Sequence, residues 1–427
     1  MVSVRLKKKK PLPVLFLGLL LAQIIATSHI YVSNLRLYDD LGLIEKAGYL
    51  GVPNHYVGIA LQDIKTAFWG GVFFTLTIGA GITLLSIAAF WVWNDLFSCK
   101  KYVLISLIGG LAGFVIILNL KGISFFASLY FIAIPLFVFR VRLRSTHYQR
   151  AMYKNGVLHA IALTLLGLIW LSEYTPGLFI DFRDTVLLSN RLGEKISEAY
   201  YKYTLYPAEA FKSLDQKLLK KCALEGVADL ETREKISSLL LAYDYLDIGD
   251  SGNADLEVRE EENNNLVFIH NGKAVLHTSF AGFAANASSI LREFSKKTDR
   301  HGVFRIFTFL SLCIALPLLL YFIVYKCILV LVRAVLKHIH SAKREDLIAI
   351  CICLVIGLSL LVFFHSMRAH KIPIDEVPSA LQSSILSDRL GALKTIIKAK
   401  KDISDYRYEL MLDSPHMPER YWLVQAL

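Results

Sequence analysis

The stretch TAFWGGVFFTLTIGAGITLLSIAAFWVWN, residues 66–94, decides the fold class of this chain. Its 29 residues include no Asp, Glu, Lys or Arg, and about 20 such residues cross the hydrocarbon core of a bilayer. Six more charge-free, apolar intervals of 18 to 25 residues have the same character: 11–35, 102–120, 122–139, 155–172, 306–325 and 347–367. Because backbone groups must pair inside lipid, each interval is expected to be a helix. The sequence predicts a polytopic α-helical membrane protein with about seven spans.

The overall composition agrees with this class. The chain has 427 residues, of which 55% are hydrophobic and only 19% are charged, against about 25% charge in soluble proteins. Disorder, a disulfide-rich secreted module and a single soluble enzyme are therefore excluded. Of the six cysteines, only Cys222 lies between the fifth and sixth predicted spans, so we expect no disulfide within that segment.

The basic residues predict the direction of the spans. If seven spans alternate, four Lys- and Arg-rich segments fall on one side: 5–10, 100–101, 140–154 and 326–344. The positive-inside rule then predicts an N-terminus inside and a C-terminus outside. The net charge of +11 is thus attributed to loops facing anionic membrane lipids rather than to nucleic-acid binding. We expect a multi-pass protein of a bacterial inner membrane, with its domains facing the periplasm.

The first span has two interpretations. KKKK followed by an apolar run is also typical of a signal peptide, and Ala26-Thr27-Ser28 resembles a cleavage site. The charge-free run continues to Leu35, which favours a retained anchor.

The spans divide the chain into four regions. Residues 1–172 form a five-span region with an outer loop at 34–65, and residues 304–367 form a two-span region. Between them, residues 173–303 are predicted to form an extracytoplasmic α+β domain. From Asp181 to Arg300 this segment has 20 acidic and 16 basic residues, so it is acidic overall. Residues 368–427 form an extracytoplasmic, all-helical tail.

The α+β domain is expected to begin with helices over 187–206 and 208–226. Asp229 is placed to cap a third helix, over 230–246, and a final helix is predicted over 284–296. Two or three strands are expected between the third helix and the final one, in LEVRE, LVFIH and KAVLH.

Asn271-Gly272 is a strong signal for a two-residue hairpin turn between the last two strands. This turn would pair His270 with Lys273 and Leu266 with His277. His270 and His277 would then share a face but lie roughly 13 Å apart, at 3.4 Å per residue. One metal ion cannot bridge that distance, and no metal or cofactor site is predicted.

The tail contains a repeated pattern. SDRLGALKTI at 387–396 aligns with PERYWLVQAL at 418–427, which is an offset of 31 residues. In both segments an Arg precedes apolar residues at +3, +4 and +7, which is typical of one helix face. On these residues the tail, over 378–427, resembles a short HEAT-like helical repeat. The resemblance implies a solenoid arm that binds proteins over an extended surface; otherwise the tail merely imitates such a repeat.

A solenoid makes specific packing expectations for the tail. Leu390, Leu393 and Ile396 should pack against a following helix at 404–412, and Leu423 and Leu427 should continue that layer. Lys394 and Lys398 should remain in solvent.

Known catalytic motifs are missing from the sequence. It has no GxSxG, no phosphate-binding GxxxxGK[ST] and no HExxH, so an ATPase would have to be a separate chain. A cluster of charged residues follows the fifth span: Glu173, Asp181, Arg183 and Asp184. It is interpreted as an interfacial salt-bridge collar or, for its three acids, as a set of catalytic carboxylates. Gly109 and Gly113 form a small-xxx-small pair that predicts close helix packing.

We therefore expect a non-catalytic membrane scaffold or assembly subunit of a cell-envelope complex. Its partners would be membrane lipids and proteins docked on the outer domain and on the tail, where the candidate docking residues are Arg389, Arg420, Tyr421 and Trp422. The alternatives are a transporter or channel subunit and a membrane-embedded enzyme acting on lipid or glycan.

Overall fold

The chain is mostly helical, with one small sheet. The computed structural model describes residues 12–50, 55–144, 153–171, 175, 177–204, 208–261, 265–335, 342–369 and 372–427. Within these residues, six helices are long and apolar enough to cross a membrane: Val14–Lys46, Ile64–Leu96, Lys101–Leu118, Phe125–Leu143, Gly302–Val335 and Arg344–Ser366. Their length and composition indicate a multi-pass membrane protein.

The fifth predicted span is a helix. Helix α7 (Tyr153–Leu171) has 19 residues, and its described apolar part is Leu158–Leu171. Six spans have support from helix length, and the count of seven stays a prediction.

The chain forms two compact units. Unit 1 contains residues 1–148 and 203–317, and unit 2 contains residues 149–202 and 318–427. The helices of unit 1, with the first part of the shared α12, are α1 (Leu12–Lys46), α2 (His55–Leu61), α3 (Ile64–Phe74), α4 (Ala80–Trp91), α5 (Lys101–Leu118), α6 (Phe125–Leu143), α10 (Leu230–Leu241), α11 (Phe280–Thr298) and α12 (Gly302–Val335).

In unit 1, α1 packs closely and antiparallel against the second span, in which a π-helical turn, Thr75–Gly79, joins α3 to α4. A Cβ on Gly79 would lie 2.5 Å from the Ala22 side chain, and one on Gly18 would lie 2.4 Å from that of Thr83. Small residues let helix backbones approach in lipid, so Gly18 and Gly79 permit this contact.

The predicted packing pair behaves differently. Neither Gly109 nor Gly113 has a heavy atom within 4 Å of its Cβ position apart from its own helix. Their spacing on α5 is right for close packing, but no described helix approaches that face. Close helix packing at this pair stays a prediction, because close packing also needs a partner surface that spacing alone does not supply.

The sheet has five strands in the order β2-β1-β3-β4-β5. They are β1 (Lys220–Gly226), β2 (Tyr245–Asp247), β3 (Leu256–Glu261), β4 (Asn265–His270) and β5 (Lys273–Ser279). β1 is parallel to β2 and β3, whereas the β3–β4 and β4–β5 pairs are antiparallel. We call residues 208–299 the sheet domain.

The helix predicted over 208–226 is wrong. Short 3₁₀ turns at Glu209–Phe211 and Leu214–Gln216 lead into β1, which is buried from Lys220 to Leu224. A strand covered on both faces lacks the alternation of polar and apolar residues that marks a half-buried strand. The Asp229 cap is confirmed, because its carboxylate accepts a hydrogen bond from the Thr232 amide at 2.9 Å.

The hairpin turn is confirmed, but its register differs from the prediction. Asn271 and Gly272 have φ of +50° and +72°, and His270 pairs with Lys273. A bulge between Phe268 and Ile269 shifts the ladder, so His277 pairs with Val267 rather than with Leu266. An extra residue turns the side chains beyond it to the opposite face, so His270 and His277 face opposite sides of the sheet.

Residues 34–46, predicted to be part of a loop, continue α1 as helix. Leu37 and Leu41 pack with Leu61 of α2, and the Asp40 carboxylate lies 2.6 Å from Nζ of Lys221 in β1. The helix extends because its apolar spacing persists past Leu35, where the charge-free interval ends.

Phe211 of the sheet domain lies among residues of the helices of unit 1. Its ring is 4.1 Å from that of Phe304 and 4.8 Å from that of Phe74, and it lies 5.9 Å from the His301 ring. Arg305 donates a hydrogen bond to the Phe211 carbonyl at 3.0 Å. These contacts join the sheet domain to the helices.

Unit 2 contains α7, the later part of α12 and α13 (Ala342–Ala369). A Cβ on Gly357 would meet Leu166 at 2.5 Å, and the rings of Phe364 and Trp170 stack at 6.0 Å. The contacts move towards the C-terminal ends of both helices together, so α7 and α13 run parallel. The segments that follow them therefore emerge at the same end of this pair.

The segment after α7 forms α8 (Leu178–Thr185), a 3₁₀ turn and α9 (Arg191–Thr204), of which the last two residues belong to unit 1. The tail after α13 forms α14 (Val377–Leu381), α15 (Leu386–Ala399), α16 (Glu409–Leu412) and α17 (Met417–Ala426). The starts of α15 and α17 keep the 31-residue offset, and a short helix precedes each of them.

The tail has its own apolar core, which contains Leu393, Ile396, Met411 and Leu423. Leu390 is also buried, but it packs with Leu188, Leu386 and Trp422. Leu427 is 66% exposed and does not continue the layer as predicted, because it lies past the last helical residue of α17, Ala426.

Candidate functional site

A buried carboxylate, that of Asp184 near the end of α8, collects three donors. Its side chain is 2% exposed, and Nε of Arg183 lies 2.7 Å from Oδ1. Nζ of Lys394 lies 2.7 Å from Oδ2, and the Trp422 indole Nε1 donates to the same oxygen at 2.9 Å. Burial of a charge is tolerated only when it is paired and hydrogen-bonded, which these donors achieve.

The donors come from distant parts of the chain. Lys394 lies on α15 and Trp422 on α17, so one α8 carboxylate binds both long helices of the tail. Nζ of Lys394 also lies 4.9 Å from the centre of the Trp422 ring, within the range of a cation–π contact. Lys394, predicted to be solvated, is instead a fixed counter-ion, because its helix presents it to two aspartates of α8.

Arg183 extends the cluster to α9. Its Nη1 donates to the Tyr201 hydroxyl at 2.7 Å. Burial disfavours the charged guanidinium, but the hydrogen bond and negative charge of Asp184 outweigh this effect, so the pKa of Arg183 is raised. With Asp181 3.7 Å from Lys394, two acids face two bases and the cluster is neutral. We call Asp181, Arg183, Asp184, Lys394 and Trp422 the α8 lock.

A second buried ion pair connects the two halves of the tail. Arg389 places Nε 2.5 Å from Oε1 and Nη2 3.1 Å from Oε2 of Glu419, whose side chain is 2% exposed. Arg389 also donates to the Ser383 carbonyl, and the Ser414 hydroxyl donates to Glu419 at 2.5 Å. This two-pronged geometry is the one in which Arg–carboxylate pairs are strongest.

The four predicted docking residues divide into two groups. Arg389 and Trp422 hold the tail together and onto α8, so they do not form an exposed docking surface. Arg420 and Tyr421 are exposed. Val424 and Leu427 extend their side of α17 and are about two-thirds exposed, although they are not among the predicted docking residues. We call Arg420, Tyr421, Val424 and Leu427 the α17 face.

The described candidate catalytic acids are not arranged as a catalytic pair. Asp184 is buried and fully engaged, Asp181 lies beside Lys394, and Glu173 lies outside the described residues. Within the described ranges, no group of three or more His, Cys, Asp or Glu side chains is placed to hold a metal ion. The cluster holds α8, α15 and α17 together. Its described carboxylates do not form a pair that faces a groove.

No protein-family model, curated protein or solved structure matches this chain. The class that the chain itself defines is a multi-pass membrane protein with a small mixed sheet domain and a helical tail.

Proposed function

We propose that this protein is a membrane-anchored scaffold, an assembly subunit of a cell-envelope complex whose tail presents the α17 face to a protein partner. The observation that carries the proposal is the α8 lock. A buried carboxylate bound by two tail helices fixes the tail on a segment next to the spans, so the tail meets a partner in one orientation. Preorganisation of this kind increases affinity because less freedom is lost on binding.

The chemistry of the α17 face indicates the kind of partner. Tyr421, Val424 and Leu427 expose apolar side chains at helical spacing, and Arg420 adds a positive charge at the edge. Tyr and Arg are frequent in interface cores. A helical protein segment with an apolar stripe and an acidic flank would be complementary, as would a further helix in a solenoid.

We also propose on which side of the membrane the sheet domain and the tail lie. Lys100, Lys101, Arg140, Arg142 and Arg144 lie at the ends of spans that the charge rule places inside. The sheet domain and the tail would then both be extracytoplasmic. A cysteine at Ser251 should react in intact cells with an impermeant thiol reagent, whereas one at Ser145, outside the described residues, should not. Equal labelling would contradict this orientation.

The docking role is tested by photocrosslinking in native membranes. A photoreactive phenylalanine analogue replaces Val424 on the α17 face, and the matched control replaces Lys398, which is exposed on α15. We expect a covalent protein adduct of one fixed mass from position 424 and none of that mass from position 398. No adduct at 424, or the same adduct from both positions, would contradict the proposal.

A transporter subunit is the second candidate, supported by a chain of polar groups in unit 2. Nδ1 of His159 lies 2.9 Å from the Tyr321 hydroxyl, and the Tyr325 hydroxyl donates to Asp346 at 2.9 Å. The His159 and Tyr325 rings are 4.5 Å apart. Polar residues in spans are functional candidates by default. Proton flux into proteoliposomes that falls in Tyr325→Phe would favour this candidate, and no flux above empty vesicles would remove it. An enzyme acting on lipid or glycan has less support, because Asp184 is engaged by the tail.

A further inference from the structure

Helix α9 carries its largest apolar side chains outward. Leu192, Ile196 and Tyr200 follow one another at intervals of four residues and are 69%, 51% and 43% exposed. The small residues Gly193 and Ser197 are the buried ones instead. An ordinary surface helix turns its apolar face to the core, so this arrangement is reversed.

The polar residues of α9 form a separate sector. Arg191 and Lys195 are exposed and lie beside the apolar stripe, one helical turn apart. Two acidic residues, Glu194 and Glu198, lie in or next to this sector, and Glu198 is 3.4 Å from Nδ1 of His416. The helix therefore has a buried strip of small residues, an exposed apolar stripe and a charged edge that contains Arg191 and Lys195.

Contacts of α8 place this region at the end of the spans. Phe182 lies 6.5 Å from the Trp170 ring of α7 and 5.8 Å from the Phe364 ring of α13. Both partners are near the ends of long apolar helices. Phe179 and Ile180 of α8 are also exposed, so the helix next to the ends of the spans exposes apolar side chains, as α9 does.

We infer that α8 and α9 form an interfacial element that lies in the headgroup layer, with Leu192, Ile196 and Tyr200 inserted towards the acyl chains. Arg191 and Lys195 bind the phosphates of anionic phospholipids. An amphipathic helix with basic residues flanking its apolar face binds membranes in this manner. Tyrosine is favoured at that depth because its ring is apolar and its hydroxyl is polar. The α8 lock thereby attaches the tail to an element embedded in the membrane surface.

The test uses the full chain in nanodiscs of phosphatidylethanolamine and phosphatidylglycerol. A photoreactive phenylalanine analogue replaces Ile196, and the matched control replaces Leu412 of α16, which is also 51% exposed. After irradiation, mass spectrometry of the labelled peptides counts phospholipid adducts. We expect several-fold more adducts at position 196 than at position 412. Equal yields, or none at 196, would overturn the inference.

A second comparison tests the basic edge. Arg191→Gln with Lys195→Gln should lower the phosphatidylglycerol share of the adducts at position 196. Lys398→Gln with Lys401→Gln removes the same charge from the tail and should leave that share unchanged. An unaltered share in the α9 variant would contradict the role of Arg191 and Lys195 in headgroup binding.

Discussion

The indole of Trp422 donates a hydrogen bond to the carboxylate of Asp184 at 2.9 Å, across 238 positions of sequence. Lys394 binds the same carboxylate oxygen. The attachment of the tail thus depends on one buried acid, whose neutralisation would leave the charges of Lys394 and Arg183 without their closest counter-ion.

Asp184→Asn should loosen the tail. An amide keeps the shape of the side chain but cannot balance two cations, and breaking a buried pair costs about 3 kcal/mol. Amide hydrogen exchange in α15 and α17 should accelerate about a hundredfold, at about 1.4 kcal/mol per factor of ten. Asp181→Asn is the control, because its contact with Lys394 is 3.7 Å long and partly exposed, and it should change exchange only slightly. Equal effects of the two variants would contradict the assignment of Asp184 as the main anchor.

The Arg389–Glu419 pair should behave as a buried unit. Arg389→Met leaves the Glu419 charge buried and alone, which should destabilise the tail by about 3–5 kcal/mol. Adding Glu419→Leu should restore at least half of that loss, because no buried charge then remains. Protease resistance of the tail reports both variants. A double variant as sensitive as the single one would argue against the pair.

The hairpin turn gives a local prediction. Gly272→Val should destabilise the β4–β5 hairpin by about 1–3 kcal/mol, because a β-branched residue resists a positive φ. Asn271→Gly is the control and should have little effect, since glycine accepts the left-handed region. Hydrogen exchange of the β5 amides distinguishes them, and unchanged exchange in Gly272→Val would contradict the turn geometry.

The lowered pKa of His301 leads us to expect that the contact between the sheet domain and the helices depends on pH. Burial, together with the charge of Arg300, lowers the pKa of His301 to about 4, against the opposing effect of Asp299. The folded state therefore holds the neutral ring, and Arg305 and the Phe211 ring also face it. As pH falls below the unfolded pKa of about 6.5, the unfolded state binds the proton first and stability decreases towards pH 4.

The measurement is hydrogen exchange of residues 208–212 between pH 7 and pH 5, corrected for intrinsic rates. His301→Gln should reduce the loss of protection seen in the parent chain at pH 5. If both proteins lose the same protection, other groups carry the pH dependence.

The sequence reveals those features that depend on near neighbours. The apolar runs predict the six long helices because lipid allows few other structures, and Asn271-Gly272 predicts its turn because both positions need positive φ. β1 could not be recognised, since Lys220 and Lys221 interrupt a strand that is nevertheless buried. The bulge next to Phe268 shifts the β4–β5 register. No feature of the residue composition indicates it, so it could not be predicted.

The α8 lock was beyond prediction for a different reason. The sequence predicts Asp184 in an interfacial collar and Trp422 among the docking residues, but nothing local indicates that they meet. Their pairing depends on α7 and α13 running parallel, which brings both following segments to the same end. Glu419 could not be predicted because its partner, Arg389, lies 30 residues earlier in the chain.

The dependence of partner docking on the α8 lock tests the central claim most directly. The photoreactive analogue at Val424 is compared in native membranes of the parent chain and of Asp184→Asn, with Asp181→Asn as the control at equal expression. We predict that the fixed-mass protein adduct falls several-fold in Asp184→Asn and is retained in Asp181→Asn. An adduct of undiminished yield in Asp184→Asn would contradict a scaffold whose docking surface is held in place by this carboxylate.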